Sequence, residues 1–210
     1  MAVIAFFVLS LTLGGLAWRW LRRTNDVAAA QAGETSLFNG FNLDGWEFDP
    51  AVWSVGDGVI HGEQKRSGYG RSLIWQGADL ADFELRFRFR LVRGNSGIAY
   101  RATLLPNLEI GYEFEIYTNK TGNLAHHGPQ ERRRLYRAES TAPPLDREWH
   151  EGVIIANGPR LIHSLDGQVL CDVEDIHPGA PRSGAISFGM STGTIVEFKD
   201  IRLKRTSQIR

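Results

Sequence analysis

Two glutamates separated by a single residue are the clearest candidates for chemistry in this sequence. Glu113 and Glu115 lie in the stretch GYEFEIY, where they alternate with apolar or aromatic residues. This alternation predicts a β-strand that places both carboxylates on one face, about 6.5 Å apart along the backbone. Such a pair is suited to general acid and base work, but paired acids are also found on solvated strand faces. Both interpretations remain open at this point.

Two further residues carry groups that could act beside these acids. Arg101 ends the stretch GNSGIAYR. Its planar guanidinium could hold a substrate oxygen, or it could form an ordinary ion pair with one of the glutamates. His163 lies between Leu161 and Leu165 in an alternating pattern. That pattern is typical of a hydrogen-bonded core histidine, and the same side chain could serve as an acid or base.

Three polar residues in the predicted turns and loops are candidate substrate contacts. Asn95 belongs to the glycine-rich turn RGNSG, in which Gly94 and Gly97 allow positive φ. Arg133 and Arg134 belong to the run ERRRL. We interpret these arginines either as solvated charge or as a clamp on a substrate.

The elements that must position these groups are strands. Residues 83–91 alternate apolar side chains with Glu84, Arg86, Arg88 and Arg90, which predicts a strand with one buried face. Asp-Gly pairs at 57–58 and 166–167 predict tight hairpins. Strand patterns recur about every 8 to 12 residues, which is typical of an antiparallel sandwich or barrel. Residues Thr118 to Pro144 lack sustained periodicity and predict a long irregular connection.

Composition excludes some classes of function. The chain has 210 residues, with 24 Lys and Arg against 24 Asp and Glu. This length suits one all-β domain, and the zero net charge gives no broad electrostatic footprint for nucleic acid. A single cysteine, Cys171, excludes an intramolecular disulfide and a cysteine-based metal cluster.

The N-terminus predicts a hydrophobic helix that serves as a membrane anchor or signal segment over residues 1–23. Residues 1–18 are almost wholly apolar, and the length of this run is near the lower limit for crossing a bilayer. Basic residues follow the run. The charges follow the apolar run rather than precede it, and the positive-inside rule would then keep the body in the cytoplasm. Residues 30–32 have the A-x-A form of a cleavage site. We predict a linker over residues 24–35 and a folded domain over 36–205.

Several motifs in order along the chain carry a family resemblance. They are SLFNGFNLDGW, WSVGDGVI, DFELRFRFRL, GNSGIAYR, GYEFEI and VEFKDIRLK. Together they resemble the 3-keto-disaccharide hydrolase family over nearly all of Ser36 to Lys204. The resemblance implies a concanavalin-like jelly roll of two antiparallel sheets with a carbohydrate groove. It also implies periplasmic or extracytoplasmic residence, and a carbohydrate substrate already oxidised to a ketone at C3.

The implied substrate suggests roles for the candidate residues. A ketone at C3 acidifies the hydrogen on C2, so that a base can remove it and the C1 oxygen can leave. Our hypothesis makes Glu113 or Glu115 the base, Arg101 the cation beside the enolate and His163 the proton donor. A divalent metal held by the glutamates and a histidine is an alternative to the arginine.

Two other functions fit the same sequence. An ordinary glycosidase would also use two carboxylates, in a retaining or an inverting arrangement. A non-catalytic carbohydrate-binding module would use the same jelly roll without turnover, since a fold does not determine a function. Activity on an unoxidised disaccharide, compared with activity on its 3-keto form, distinguishes an ordinary glycosidase from the 3-keto-specific enzyme. Binding without turnover would indicate a carbohydrate-binding module.

Overall fold

The structure is a computed structural model that describes residues 33–65, 72–105, 108–118, 121–128, 132–136 and 146–206. Within these ranges the chain forms fifteen strands and no helix. They are β1 (Glu34–Ser36), β2 (Trp46–Glu47), β3 (Trp53–Gly56), β4 (Val59–Glu63), β5 (Leu73–Trp75), β6 (Phe83–Arg93), β7 (Asn95–Leu105), β8 (Leu108–Tyr117), β9 (Leu124–His127), β10 (Arg132–Tyr136), β11 (His150–Asn157), β12 (Arg160–Leu165), β13 (Gln168–Glu174), β14 (Ala185–Met190) and β15 (Ile195–Arg205).

The strands form two antiparallel sheets. Sheet A has the order β13-β12-β11-β6-β15-β4-β3, and β1 pairs with β15. Sheet B has the order β10-β9-β8-β7-β14-β5-β2. Strands distant in sequence are neighbours in both sheets, as expected when the chain crosses repeatedly between the two layers of a jelly roll. The prediction of an all-β sandwich is confirmed.

The core between the sheets is formed by apolar side chains at alternate positions of the central strands. In β6 the side chains of Phe83, Leu85, Phe87 and Phe89 are fully buried, while the arginines between them are not. Phe87 meets Phe114 of sheet B edge to face, with ring centroids 5.4 Å apart. Because alternate residues of a strand point to opposite faces, the residues next to Phe114 lie on the outer face of sheet B. That face carries Glu113 and Glu115.

The predicted hairpins are present with the expected backbone geometry. Asp57 and Gly58 have φ values of 52° and 77°, and Asp166 and Gly167 have 49° and 80°. Two successive positive φ values fit the twist of a two-residue hairpin turn. The turn before β7 is shorter than predicted. Gly94 alone has a positive φ there, and Asn95 already belongs to the strand.

The prediction of an irregular connection over residues 118–144 is wrong in part. Within the described part of this segment, β9 and β10 form an antiparallel pair, with Arg132 opposite His127 and Arg134 opposite Ala125. β9 then pairs with β8 and extends sheet B. These strands have four and five residues, and their histidines and arginines conceal the apolar alternation on which strand prediction depends.

The predicted N-terminal anchor and its helix lie outside the described residues, and the membrane prediction remains a prediction. Among the residues that are described, no helix has the length and apolar character needed to cross a membrane.

Candidate functional site

A carboxylate and an imidazole form a hydrogen-bonded pair on the outer face of sheet B. Glu113 of β8 lies opposite Ala125 of β9, and His127 follows two residues later on the same strand. Nε2 of His127 donates a hydrogen bond to Oε2 of Glu113 at 2.7 Å. The two side chains are 33% and 24% exposed. The pair is therefore oriented by an internal contact and remains accessible to a ligand.

Small residues surround the Glu113 carboxylate on the neighbouring strands. Ala99 lies opposite Glu113 and Gly97 lies opposite Glu115, and on the next strand Ser187 and Gly189 continue these two rows. A Cβ atom on Gly97 would come within 2.3 Å of Oε1 of Glu113. The carboxylate therefore rests over the Gly97 backbone. The small residues of these two strands flank it over about 10 Å, and Gly97, Ala99 and Ser187 among them are buried.

Glu115 occupies a different environment from Glu113, although the sequence treats them alike. Its side chain is buried, and Oε2 accepts a hydrogen bond from Nδ2 of the fully buried Asn123 at 2.7 Å. Its backbone also bonds to the turn between β8 and β9, through Asn123 O and the Gly122 N–H. Glu115 therefore stabilises the turn that leads to His127, and Glu113 is the more accessible acid.

His163 lies in the core, and the structure does not bring it to Glu113. Its Nδ1 donates to the carbonyl of Gly122 at 3.1 Å, so the neutral ring accepts a hydrogen bond from the Tyr100 hydroxyl at Nε2, 2.9 Å away. Burial lowers the pKa of His163 to about 4. The predicted proton donor thus faces the interior, where it links sheet A to the turn that holds Glu115.

Acid is expected to destabilise the fold through His163. This residue titrates near 6.5 when unfolded and at about 4 when folded, so between these pH values the unfolded chain binds more protons. Stability therefore decreases as the pH falls, by up to about 3 kcal/mol at pH 4. Urea unfolding between pH 7 and pH 4.5 measures this loss. His163→Gln should be less stable at pH 7 and lose less on acidification. An equal loss in both proteins would contradict the assignment.

Arg101 also lies away from the predicted site. A bulge between Tyr100 and Thr103 gives Arg101 a φ of 47° and turns its side chain out of the strand's alternation. The guanidinium is buried and donates to the carbonyls of Ala81 (2.8 Å) and Gly158 (2.7 Å). It also pairs with the Asp82 carboxylate at 3.0 Å. The expected contact with an enolate therefore does not arise, because all three guanidinium nitrogens already bond to the protein.

The other predicted substrate contacts lie on sheet B. Asn95, the first residue of β7, is opposite Tyr117, the last residue of β8. On β10, Arg134 pairs with Ala125, which in turn pairs with Glu113 of β8, so these three residues form one row across the sheet. Arg133 pairs with His126 and belongs to the next row. Adjacent rows of a sheet belong to opposite faces. Of the two arginine positions, Arg134 is therefore the one in register with Glu113.

Sequence reasoning missed His127 and Asn123. Both lie in the segment predicted to be irregular. The signal that could have found them is the Gly128-Pro129 dipeptide between two short runs, which marks a hairpin turn. Within the described ranges, no group of three or more His, Cys, Asp or Glu side chains could hold a metal ion. Glu113 and His127 would supply two ligands, and the metal remains a prediction.

The two stacked sheets are shared with carbohydrate-associated proteins of known structure. A candidate glycosyl hydrolase from Parabacteroides distasonis has a TM-score of 0.67 at 20% identity, covering 86% of this chain and 97% of that one. The carbohydrate-binding module CBM66 from Bacillus subtilis has a TM-score of 0.54 at 14% identity, covering 81% and 94%. The Ca²⁺/Man-bound exoplasmic/lumenal domain of VIP36 has a TM-score of 0.63 at 13% identity, covering 83% and 91%. The chain is therefore an all-β protein with the two-sheet jelly-roll fold.

Sequence comparison then identifies the family. Residues 33–204 match the 3-keto-alpha-glucoside-1,2-lyase-like domain, and the chain belongs to this family. The resemblance noted in the sequence motifs is confirmed. Among curated proteins, no sequence matches the chain significantly. Family membership indicates a carbohydrate-related function.

Proposed function

We propose that this protein cleaves 3-keto-α-glucosides by elimination, with Glu113 as the general base. The observation that carries the proposal is the hydrogen-bonded pair of Glu113 and His127, both partly exposed, on the outer face of sheet B beside small residues. A base must reach the C2 hydrogen of a bound sugar, and Glu113 combines accessibility with a fixed orientation. Family membership supports the choice of 3-keto-glucosides as the substrate class.

The chemistry requires one accessible carboxylate. Glu113 acts in its carboxylate form and takes the proton from C2. The C2–H electron pair forms the C1–C2 double bond, which is conjugated with the C3 ketone, and the C1–O bond breaks. The protonated Glu113 then gives its proton to the departing oxygen. Addition of water across the double bond completes a net hydrolysis to the free 3-keto sugar.

The remaining roles follow from position. His127 is a positioning residue, because its ring N–H holds one oxygen of the Glu113 carboxylate. Negative charge develops on the C3 oxygen during proton removal, and a cation near that oxygen would lower the barrier. We assign this role to Arg134, whose strand position is in register with Glu113. Arg101 and His163 are assigned to the stability of the fold.

A carbohydrate-binding role without turnover is the second candidate. It is favoured by the similarity to a carbohydrate-binding module and to a mannose-bound lumenal domain. An ordinary glycosidase is less well supported. That mechanism needs two carboxylates facing the sugar, and Glu115 is buried against Asn123.

Release of nitrophenol from p-nitrophenyl 3-keto-α-glucopyranoside tests the proposal. We expect turnover of the 3-keto compound and none of the unoxidised glucoside. In D₂O the free 3-keto-glucose should carry deuterium at C2, because water restores the hydrogen that the base removed. Turnover of both glucosides without deuterium at C2 would indicate an ordinary glycosidase, and saturable binding without turnover would indicate a binding module. Repeating the assay with a chelator tests the predicted metal.

A further inference from the structure

A depression of about 510 Å³ lies at the end of the surface that carries Glu113. Its lining residues are Gly94, Asn95, Tyr117, Thr118, Ser191 and Thr192. They come from the β6–β7 turn, the end of β8 and the connection between β14 and β15. The volume lies within the range of small-molecule sites in proteins.

The depression continues the face of the proposed active site. Glu113, Glu115 and Tyr117 alternate along β8 and therefore share one face, with Ala99, Gly97 and Asn95 opposite them in three successive rows. Tyr117 lies four positions after Glu113 on the strand, which corresponds to about 13 Å. A single sugar ring at Glu113 would not reach Tyr117. A group bound in the depression would therefore belong to another part of the substrate, which we take to be the leaving group.

The lining has the chemistry of a neutral sugar site. Tyr117 is 40% exposed and offers an aromatic ring for the apolar face of a sugar. Asn95 supplies a donor and an acceptor, and the lining also contains serine and threonine hydroxyls. None of the six lining residues carries a charge, which disfavours an anionic ligand.

The walls of the depression are held by backbone hydrogen bonds. The N–H of Asn95 donates to Oγ1 of Thr194, and the carbonyl of Asn95 accepts from the Thr194 hydroxyl and from the Ser191 N–H, each at 2.9 Å. The backbone of Tyr117 is tied in the same way to Thr121, at 2.7 and 3.2 Å. Because these hydrogen bonds already hold the walls in place, binding a ligand would cost little free energy for ordering them.

We propose that this depression is a second sugar subsite, which binds a neutral sugar ring of the leaving group and gives the protein a preference for 3-keto oligosaccharides. The proposal rests on the proposed function for its substrate class. Tyr117 is the specificity-determining residue, through contact between its ring and the sugar.

Substrates that differ only in length test the subsite. For 3-keto-maltotriose, Tyr117→Ala should raise KM about tenfold. For methyl 3-keto-α-glucoside, which does not extend to Tyr117, KM should be unchanged. Tyr117→Phe retains the ring and should behave as the wild type, and Phe41→Ala removes an exposed aromatic residue outside the subsite as a control. Equal KM changes for both substrates, or no change for the trisaccharide, would overturn the proposal.

A binding measurement separates this proposal from the proposed function. If the wild type turns over neither substrate, the elimination hypothesis fails. Titration calorimetry with 3-keto-maltotriose then tests the subsite alone, on wild type, Tyr117→Ala and Tyr117→Phe. If the wild type is active, the same titrations use the Glu113→Gln background. Weaker binding only in the alanine variant supports the subsite. Equal affinity in all three, or no saturable binding to the wild type, refutes it.

Discussion

Replacing Glu113 by glutamine is expected to lower kcat/KM for a 3-keto-α-glucoside about 10²- to 10⁴-fold, the usual contribution of a general base. The amide has nearly the same shape as the carboxylate and can accept a hydrogen bond from His127, but it cannot take the C2 proton. The loss should therefore appear in kcat, with KM little changed. Initial rates of nitrophenol release from the 3-keto substrate measure both constants.

Two further variants make this prediction specific. Glu151→Gln makes the same change at a half-exposed glutamate on sheet A and should keep wild-type activity. Gly97→Ala keeps the Glu113 carboxylate but should displace it, because the added methyl group would come within 2.3 Å of Oε1. We expect its kcat to fall while the protein remains folded by circular dichroism. Wild-type rates in Glu113→Gln would reject the assignment of the base.

Replacing Arg101 by methionine is expected to lower the free energy of unfolding by about 3 to 5 kcal/mol. The guanidinium satisfies two backbone carbonyls and pairs with Asp82, whose side chain is only 8% exposed. Burial lowers the pKa of Arg101, so this charge depends on its partners for stabilisation. Methionine would leave the Asp82 carboxylate buried without its cation. Urea denaturation at pH 7 measures the loss.

The matched control is Arg160→Met, which removes an arginine from an exposed pair. Arg160 contacts Asp172 at 2.7 Å, with side chains 55% and 42% exposed, and such pairs contribute only about 0 to 1 kcal/mol. If Arg101 instead contacts the substrate, a folded Arg101→Lys variant would show a raised KM with little change in stability. That outcome would contradict its placement in the interior.

Much of the layout of the candidate site can be derived from local pattern. Alternation in GYEFEIY is enough to place both glutamates on the face opposite Phe114, because a strand has no other way to bury that ring. The same pattern cannot predict which of the two glutamates is buried and which is accessible. Glu115 is distinguished by a hydrogen bond from Asn123, a residue eight positions away on the far side of a turn.

The amino-acid sequence alone determined the all-β class, the two Asp-Gly hairpins and the outward face of Glu113, since each depends on side-chain period or on backbone freedom within a few residues. Only the tertiary structure decided which polar groups meet. The bulge at Arg101 reverses the direction that alternation assigns to its side chain. His163 and His127 both lie on strands, yet one is enclosed between the sheets and the other lies beside Glu113. Those outcomes depend on strand pairing between distant segments, and no local pattern of residues encodes that pairing.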